Sequence, residues 1–195
     1  MARPRSFDEA QVLDGAVALF RKSGYEGTSV PDIISRLGIC RQSLYKTFGD
    51  KRGLYLKALE VYGQQETDAK LALLKADGSP LENVRTIVRA MAALATTCPS
   101  DGCLVVSAIV ENHTDPEIRA FAEKEVNRLE AGFEAALVAA QHRGELRPDA
   151  NPARLAHAVI TAIFGIGLLI RLPQSGPRVA DTVSVLLELI ESAAA

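Results

Sequence analysis

Apolar residues recur three and four apart along most of this chain. Alternating runs and Asn-Gly or Asp-Gly turns between them are absent, so the pattern predicts helices throughout. The first helix is expected to open at a capping box, Ser6 to Glu9. It carries Phe7, Val12, Leu13, Ala16, Leu19 and Phe20 at helical spacing. Ser23-Gly24 ends it, with Arg21 and Lys22 in the last turn. A short second helix follows Thr28-Ser29, carries Ile33, Ile34 and Leu37, and stops at Gly38. A short third helix covers about Cys40 to Phe48.

Gly49-Asp50 breaks the pattern, and Asp50 can cap a long fourth helix from Lys51 to about Ala76, with Tyr55, Leu59 and Tyr62 on one stripe. Ser79, Pro80 and Glu82 give a strong start signal for a fifth helix, which runs to about Thr97 with Val84, Ile87, Val88, Met91 and Leu94 inward. Beyond Pro99 to Gly102 a short apolar helix spans Cys103 to Glu111. Asp115-Pro116 opens a long amphipathic helix ending near Arg143-Gly144. Asn151-Pro152 opens an eighth helix to about Leu172, and a ninth fills Arg178 to Glu191. The expectation is an all-α chain of nine helices, three short and six further, with no internal repeat.

Composition adds bounds. The chain has 195 residues, 48% of them apolar and 24% charged, enough for one sizeable domain or two small ones. The longest apolar run, Ala158 to Ile170, is short for a bilayer span, and no charged start precedes an apolar stretch. A cytoplasmic protein is therefore expected. The odd cysteine count (Cys40, Cys98, Cys103) argues against a disulfide framework. The net charge of −2 is unevenly spread, about +3 over residues 1–55 and −5 over the rest. A basic head on an acidic body suits a polyanion partner.

The stretch Val30 to Phe48 is the most informative. Two short helices separated by Gly38, preceded by a packing helix, form a helix-turn-helix layout. The second helix of such a pair enters the major groove of DNA. Leu44 and Phe48 are four apart and turn inward, which leaves Arg41, Gln42, Ser43, Tyr45, Lys46 and Thr47 on the outer surface. Arg can pair with guanine edges and Gln with adenine, while Ser, Thr, Tyr and Lys can reach phosphates.

These residues carry a family resemblance. The apolar first helix ending in Phe20, Gly24 to Val30, Ile33, Leu37-Gly38-Ile39, Ser43-Leu44-Tyr45, Phe48, Asp50-Lys51 and Leu54 resemble the signature of TetR/AcrR transcriptional regulators. The resemblance covers most of residues 6–55, and the nine-helix layout extends it over the chain. It implies a helix-turn-helix DNA-binding domain at residues 1–50 and a ligand-binding and dimerisation domain at 51–195. It implies phosphate contacts from Thr28, Tyr45 and Lys51, with Arg41, Gln42, Ser43 and Lys46 facing bases or backbone. Two positions depart from it: Cys40 stands where Ser or Thr usually caps the helix, and Gln42 where Gly is common.

The body is less legible, because apolar stripes mean core before they mean pocket. The eighth helix is apolar almost all round, and its Ala158, Ala162, Gly165 and Gly167 permit close helix approach. The ninth carries Val179, Val183, Leu186, Leu187 and Ile190. The resemblance implies a homodimer through these two helices and a small apolar or aromatic effector bound inside helices four to eight. Candidate ligand contacts on inward stripes are Tyr62, Met91, Cys103, Phe121, Phe133 and Phe164. Cys103 opens a helix, whose positive end favours a thiolate. The resemblance allows it an oxidant- or electrophile-sensing role; a small buried apolar residue is the plainer reading.

His113, His142 and His157 are not at metal-ligand spacing, so no metal and no cofactor are expected. Neither a Gly-rich phosphate loop nor an HExxH motif nor a Ser/His/Asp grouping points to an enzyme. The expected function is a ligand-responsive repressor that binds a palindromic operator of double-stranded DNA as a dimer and is released by a small molecule. A DNA-binding activator or architectural protein without ligand control is the alternative.

Overall fold

The computed structural model describes residues 7–97 and 102–195. Among them every extended element is helical: α1 (Glu9–Ser23), α2 (Val30–Leu37), α3 (Arg41–Phe48), α4 (Lys51–Tyr62), a π turn (Gly63–Thr67), α5 (Asp68–Leu74), α6 (Pro80–Thr97), α7 (Leu104–Asn112), α8 (Pro116–His142), α9 (Pro152–Leu169) and α10 (Gly176–Ser192). A single antiparallel bridge, Leu146 to Ala194, ties the α8–α9 loop to the C-terminus.

Capping chemistry fixes most helix starts. In α1 the cap is Asp8, whose carboxylate accepts from the Ala10 and Gln11 amides at 3.0 and 3.4 Å. The capping box expected at Ser6 gives way to this, and Ser6 itself lies outside the described residues. A reciprocal box does form at α2: Ser29 Oγ accepts from the Asp32 amide, and Asp32 accepts from the Ser29 amide. Asp50, Asp115 and Asn151 cap α4, α8 and α9. Ser79 accepts from the Glu82 amide at the start of α6.

One long helix was expected over Lys51 to Ala76. The chain stays helical, but a π turn separates α4 from α5, and α5 ends at Leu74. Here the rod crosses α8 closely: a Cβ on Gly63 would stand 3.1 Å from the Glu125 carboxylate and 3.3 Å from Phe121. Glu125 is itself buried and accepts from Arg128. A π turn inserts one residue and resets the rod's facing at such a crossing.

Two apolar clusters result. The first joins Val12, Ala16, Phe20, Ile33, Leu44 and Phe48 of the head to Leu54, Tyr55, Leu59 and Tyr62 of α4. It continues into Leu104 and Ala108 of α7 and Ile118 of α8. The second gathers α6, α8, α9 and α10 around Val84, Val88, Phe133, Leu137, Val159, Ile163 and Val183. The head's core thus crosses residue 50 without a break. With a mean hydropathy of 1.6 over 18 residues, α9 is long and apolar enough for a membrane span. In the fold it lies against α6, α7, α8 and α10 on one side, which accounts for part of that composition.

Arg52 of α4 grips the α7–α8 corner. Its guanidinium donates to Asp115 through Nε (2.6 Å) and Nη2 (2.9 Å), and through Nη2 to Glu117 at 2.5 Å. The Arg52 hydrogen bonds hold the Asp115 carboxyl down at about 2. A carboxyl lowered by folding stabilises fully above its unfolded value of about 4 and ceases to do so as pH falls through its folded value. The melting temperature is therefore expected to drop between about pH 4 and pH 2. An Asp115→Asn protein, which keeps a capping side chain, should show a flatter profile; equal slopes would refute the assignment.

Candidate nucleic-acid interface and internal cavity

The head places its third helix outward because only two of its side chains are needed inside. Leu44 and Phe48 are buried, and Ile33 of α2 and Phe20 of α1 close the core beneath them. Gly38 closes α2 in the left-handed conformation that the sharp inter-helix turn requires, with its amide donating to Ile34. Arg41, Gln42, Tyr45 and Lys46 are exposed on α3, and Ser43 and Thr47 are half-buried. The Arg41 guanidinium stands 6.0 Å from the Tyr45 ring centre, so the two share one surface. Lys51, half-buried at the start of α4, places its ammonium 4.1 Å above the Tyr25 ring. Cys40 occupies the α3 cap and makes no capping bond, as the departure from Ser or Thr implies. Its sulfur lies 3.2 Å from Ser43 Oγ.

Thr28 is the exception among the expected DNA contacts. It is 1% exposed, and its hydroxyl donates to the Gly24 carbonyl at 2.6 Å. That bond shapes the α1–α2 turn and leaves no hydroxyl proton for a phosphate.

The same turn is held from the body. Glu111 at the end of α7 accepts from the Tyr25 amide at 2.7 Å and the Glu26 amide at 3.2 Å. Gly24 adopts φ +73°, and a Cβ there would fall inside the Glu111 carboxylate. Arg171, just past α9, donates through Nη2 to the Arg21 carbonyl (2.9 Å) and to Ser107 Oγ (2.6 Å). Beneath them Tyr55 is fully buried with its hydroxyl unpartnered, and burial pushes that hydroxyl up. Four elements of the chain therefore meet at one turn of the head. No sequence signal marked Glu111 or Arg171, which lie 86 and 150 residues from their partners.

Close to this junction lies a cavity of about 80 Å³. Three of the expected ligand contacts, Tyr62, Met91 and Cys103, line it together with Arg21, Glu66, Lys70, Ile163, Ile166 and Ile170. The other three do not. Phe133 is fully buried in the body core, Phe121 packs at the π turn, and Phe164 is half-buried between the two clusters. Each fills its own stripe, and periodicity alone could not distinguish this from lining a pocket. Arg21, Glu66 and Lys70 were missed because charged residues on amphipathic helices ordinarily face water. Cys98 lies outside the described residues.

The outer faces of α9 and α10 carry apolar side chains uncovered in one chain. Leu168 of α9 and Leu172 just past it are 49% and 48% exposed, and Val185 and Leu189 of α10 are 62% and 43% exposed. Gly165 on the same side of α9 meets nothing within 4 Å.

An all-helical chain with an outward helix-turn-helix and a cavity in the helical body defines a DNA-binding regulator. Comparisons with known proteins agree. Residues 12–58 match the family described as bacterial regulatory proteins, tetR family, and residues 80–186 match the tetracyclin repressor-like C-terminal domain. The chain belongs to the TetR family of transcriptional regulators. It is 34% identical over 194 residues to the HTH-type transcriptional regulator YezE of Bacillus subtilis, covering 98% of this chain and 100% of that one. It is 33% identical over 122 residues to the HTH-type transcriptional repressor BdcR of Escherichia coli, covering 62% and 60% of the two chains. Among solved structures it superposes on the TetR family regulator CifR, a cysteine mutant complexed with 26-base-pair operator DNA. That match has a TM-score of 0.82, 26% identity, and covers 98% of this chain and 100% of CifR.

Proposed function

We propose that the protein is a dimeric, ligand-responsive repressor that binds a palindromic operator through α3 and is released when a small molecule fills the cavity. The observation that carries the reading is Arg21. It lies on α1 of the DNA-binding head, and its side chain lines the cavity of the body. A ligand there touches the head directly. The repressor naming of BdcR and the operator complex of CifR support the direction of control.

The reading assigns base contacts to Arg41 and Gln42, and backbone or base contacts to Ser43, Tyr45, Lys46, Thr47 and Lys51. Thr28 shapes the turn instead. The uncovered faces of α9 and α10 join across a two-fold axis. Two α3 helices then meet half-sites one helical turn, or a multiple of it, apart. Work on DNA places the protein in the cytoplasm of a bacterium.

A gel shift with the DNA upstream of its own gene tests this. A retarded band at low salt is expected, and its absence there refutes operator binding. Arg41→Ala should weaken operator binding by about 10- to 100-fold and relax specificity at one base pair. Lys46→Ala should weaken all sequences alike and lower the slope of log affinity against log salt by about one. Operator binding that no compound releases would favour a constitutive DNA-binding protein.

A further inference from the structure

The lining of the cavity is chemically uneven. Met91, Ile163, Ile166 and Ile170 supply its apolar lining, and Arg21, Tyr62, Glu66 and Lys70 its polar lining. Lys70 pairs with Glu66 at 2.8 Å. Arg21 has no such partner. Its Nε donates to the Gly102 carbonyl at 3.3 Å and its guanidinium stands 5.8 Å from the Tyr62 ring centre. Among the described residues no carboxylate lies within ion-pair distance of it. The described lining therefore carries two positive side chains, Arg21 and Lys70, against the one Glu66 carboxylate, which Arg21 also helps to keep charged.

Tyr62 supplies the second observation. Its side chain is 6% exposed and lines the cavity, and its hydroxyl donates to Cys103 Sγ at 3.6 Å. A thiol sulfur is a weak acceptor. A buried hydroxyl spends its proton poorly there, and a charged oxygen would take the same proton far better. Burial pushes the Tyr62 hydroxyl well up, so it remains a donor at neutral pH.

Taking the cavity as the effector site, we propose that it selects a small monocarboxylate with a compact apolar body. Arg21 and the Tyr62 hydroxyl hold its carboxylate, and the three isoleucines and Met91 cover its body. A neutral molecule would leave the excess of one positive side chain in the described lining unanswered, and a dianion would exceed it. A volume of about 80 Å³ admits only a compact body. The bound carboxylate would tie the last turn of α1 to the body. The backbone of that turn already accepts from Arg171 at the Arg21 carbonyl.

Calorimetry of the full-length protein with sodium benzoate and with its uncharged analogue benzyl alcohol tests the proposal. Benzoate is expected to bind at least about tenfold more tightly. Tyr62→Phe, which keeps the ring and so the packing, should remove most of that preference while changing benzyl alcohol affinity less than about twofold. Arg21→Gln should act in the same direction. Equal affinity for the two probes, a preference that survives in Tyr62→Phe, or no binding of either probe would each overturn the proposal. A parallel gel shift separates this from the repressor reading. Benzoate that binds yet leaves the operator occupied refutes ligand control and keeps the carboxylate subsite. Release by benzyl alcohol alone does the reverse.

Discussion

Glu111→Ala is expected to lower operator affinity at least about tenfold and to cost the head about 2–3 kcal/mol of stability, although Glu111 touches no DNA-facing side chain. The carboxylate accepts two backbone amides of the α1–α2 turn, at Tyr25 and Glu26. Hydrogen bonds to a charged acceptor contribute about 1.5–3 kcal/mol each, and removing the acceptor leaves both donors to find water. Its loss also takes away the only carboxylate near Arg171, 4.0 Å off among the described residues, so the Arg171 bond to the Arg21 carbonyl weakens too. The turn sets the angle between α1 and α2, and α2 sets the seating of α3. Glu111→Gln keeps an acceptor oxygen and should fall between the two. Amide hydrogen exchange at Tyr25 and Glu26 is the direct readout. Unchanged exchange and operator affinity in the alanine protein would show that the turn stands without the body. Gly24→Ala should resemble Glu111→Ala, since its Cβ meets the same carboxylate at a backbone angle that only glycine adopts freely.

Phe20→Ala carries the second large effect, about 3–5 kcal/mol of stability. Phe20 is fully buried, and its ring meets Tyr55 edge-on with centres 4.9 Å apart. It packs under α2 and against α4 at once, so the cavity left behind has walls from elements that cannot all close on it. Such a loss is a large share of the stability of a domain this size. The expected signature is a lower midpoint of chemical unfolding with DNA binding lost at growth temperature. A loss below about 1 kcal/mol would mean that the head repacks freely.

The head was legible in the sequence because local rules govern it. Ser29 and Asp32 cap α2 within four residues of each other, Gly38 ends it, and Leu44 and Phe48 orient α3 by spacing alone. The surface set Arg41, Gln42, Tyr45 and Lys46 follows from that orientation. The burial of Thr28 and its bond to the Gly24 carbonyl were not legible, being a tertiary detail of a turn whose shape propensity does not state. The body was legible as helices and much less as a site. Tyr62, Met91 and Cys103 converge on one cavity while Phe121 and Phe133 do not, yet all five lie on inward stripes. Only the relative rotation of the helices separates them, and the π turn at Gly63–Thr67 alters that rotation. The charged lining of the cavity ran against the usual inference that Arg, Glu and Lys on a helix face water.

The unbroken cluster across residue 50 bears on how such a regulator can be re-engineered or can evolve. Ile33, Leu44 and Phe48 share their core with Leu54 and Leu59 of α4, Leu104 of α7 and Ile118 of α8. The DNA-reading piece is thus not a cassette to be cut at a linker and pasted onto a foreign sensor. A chimera joined at residue 50 would strand the underside of the head against unmatched side chains. A new operator preference is better acquired by changing Arg41, Gln42 and Lys46 on the outer face of α3. Those residues can vary while the inner face stays married to its own body.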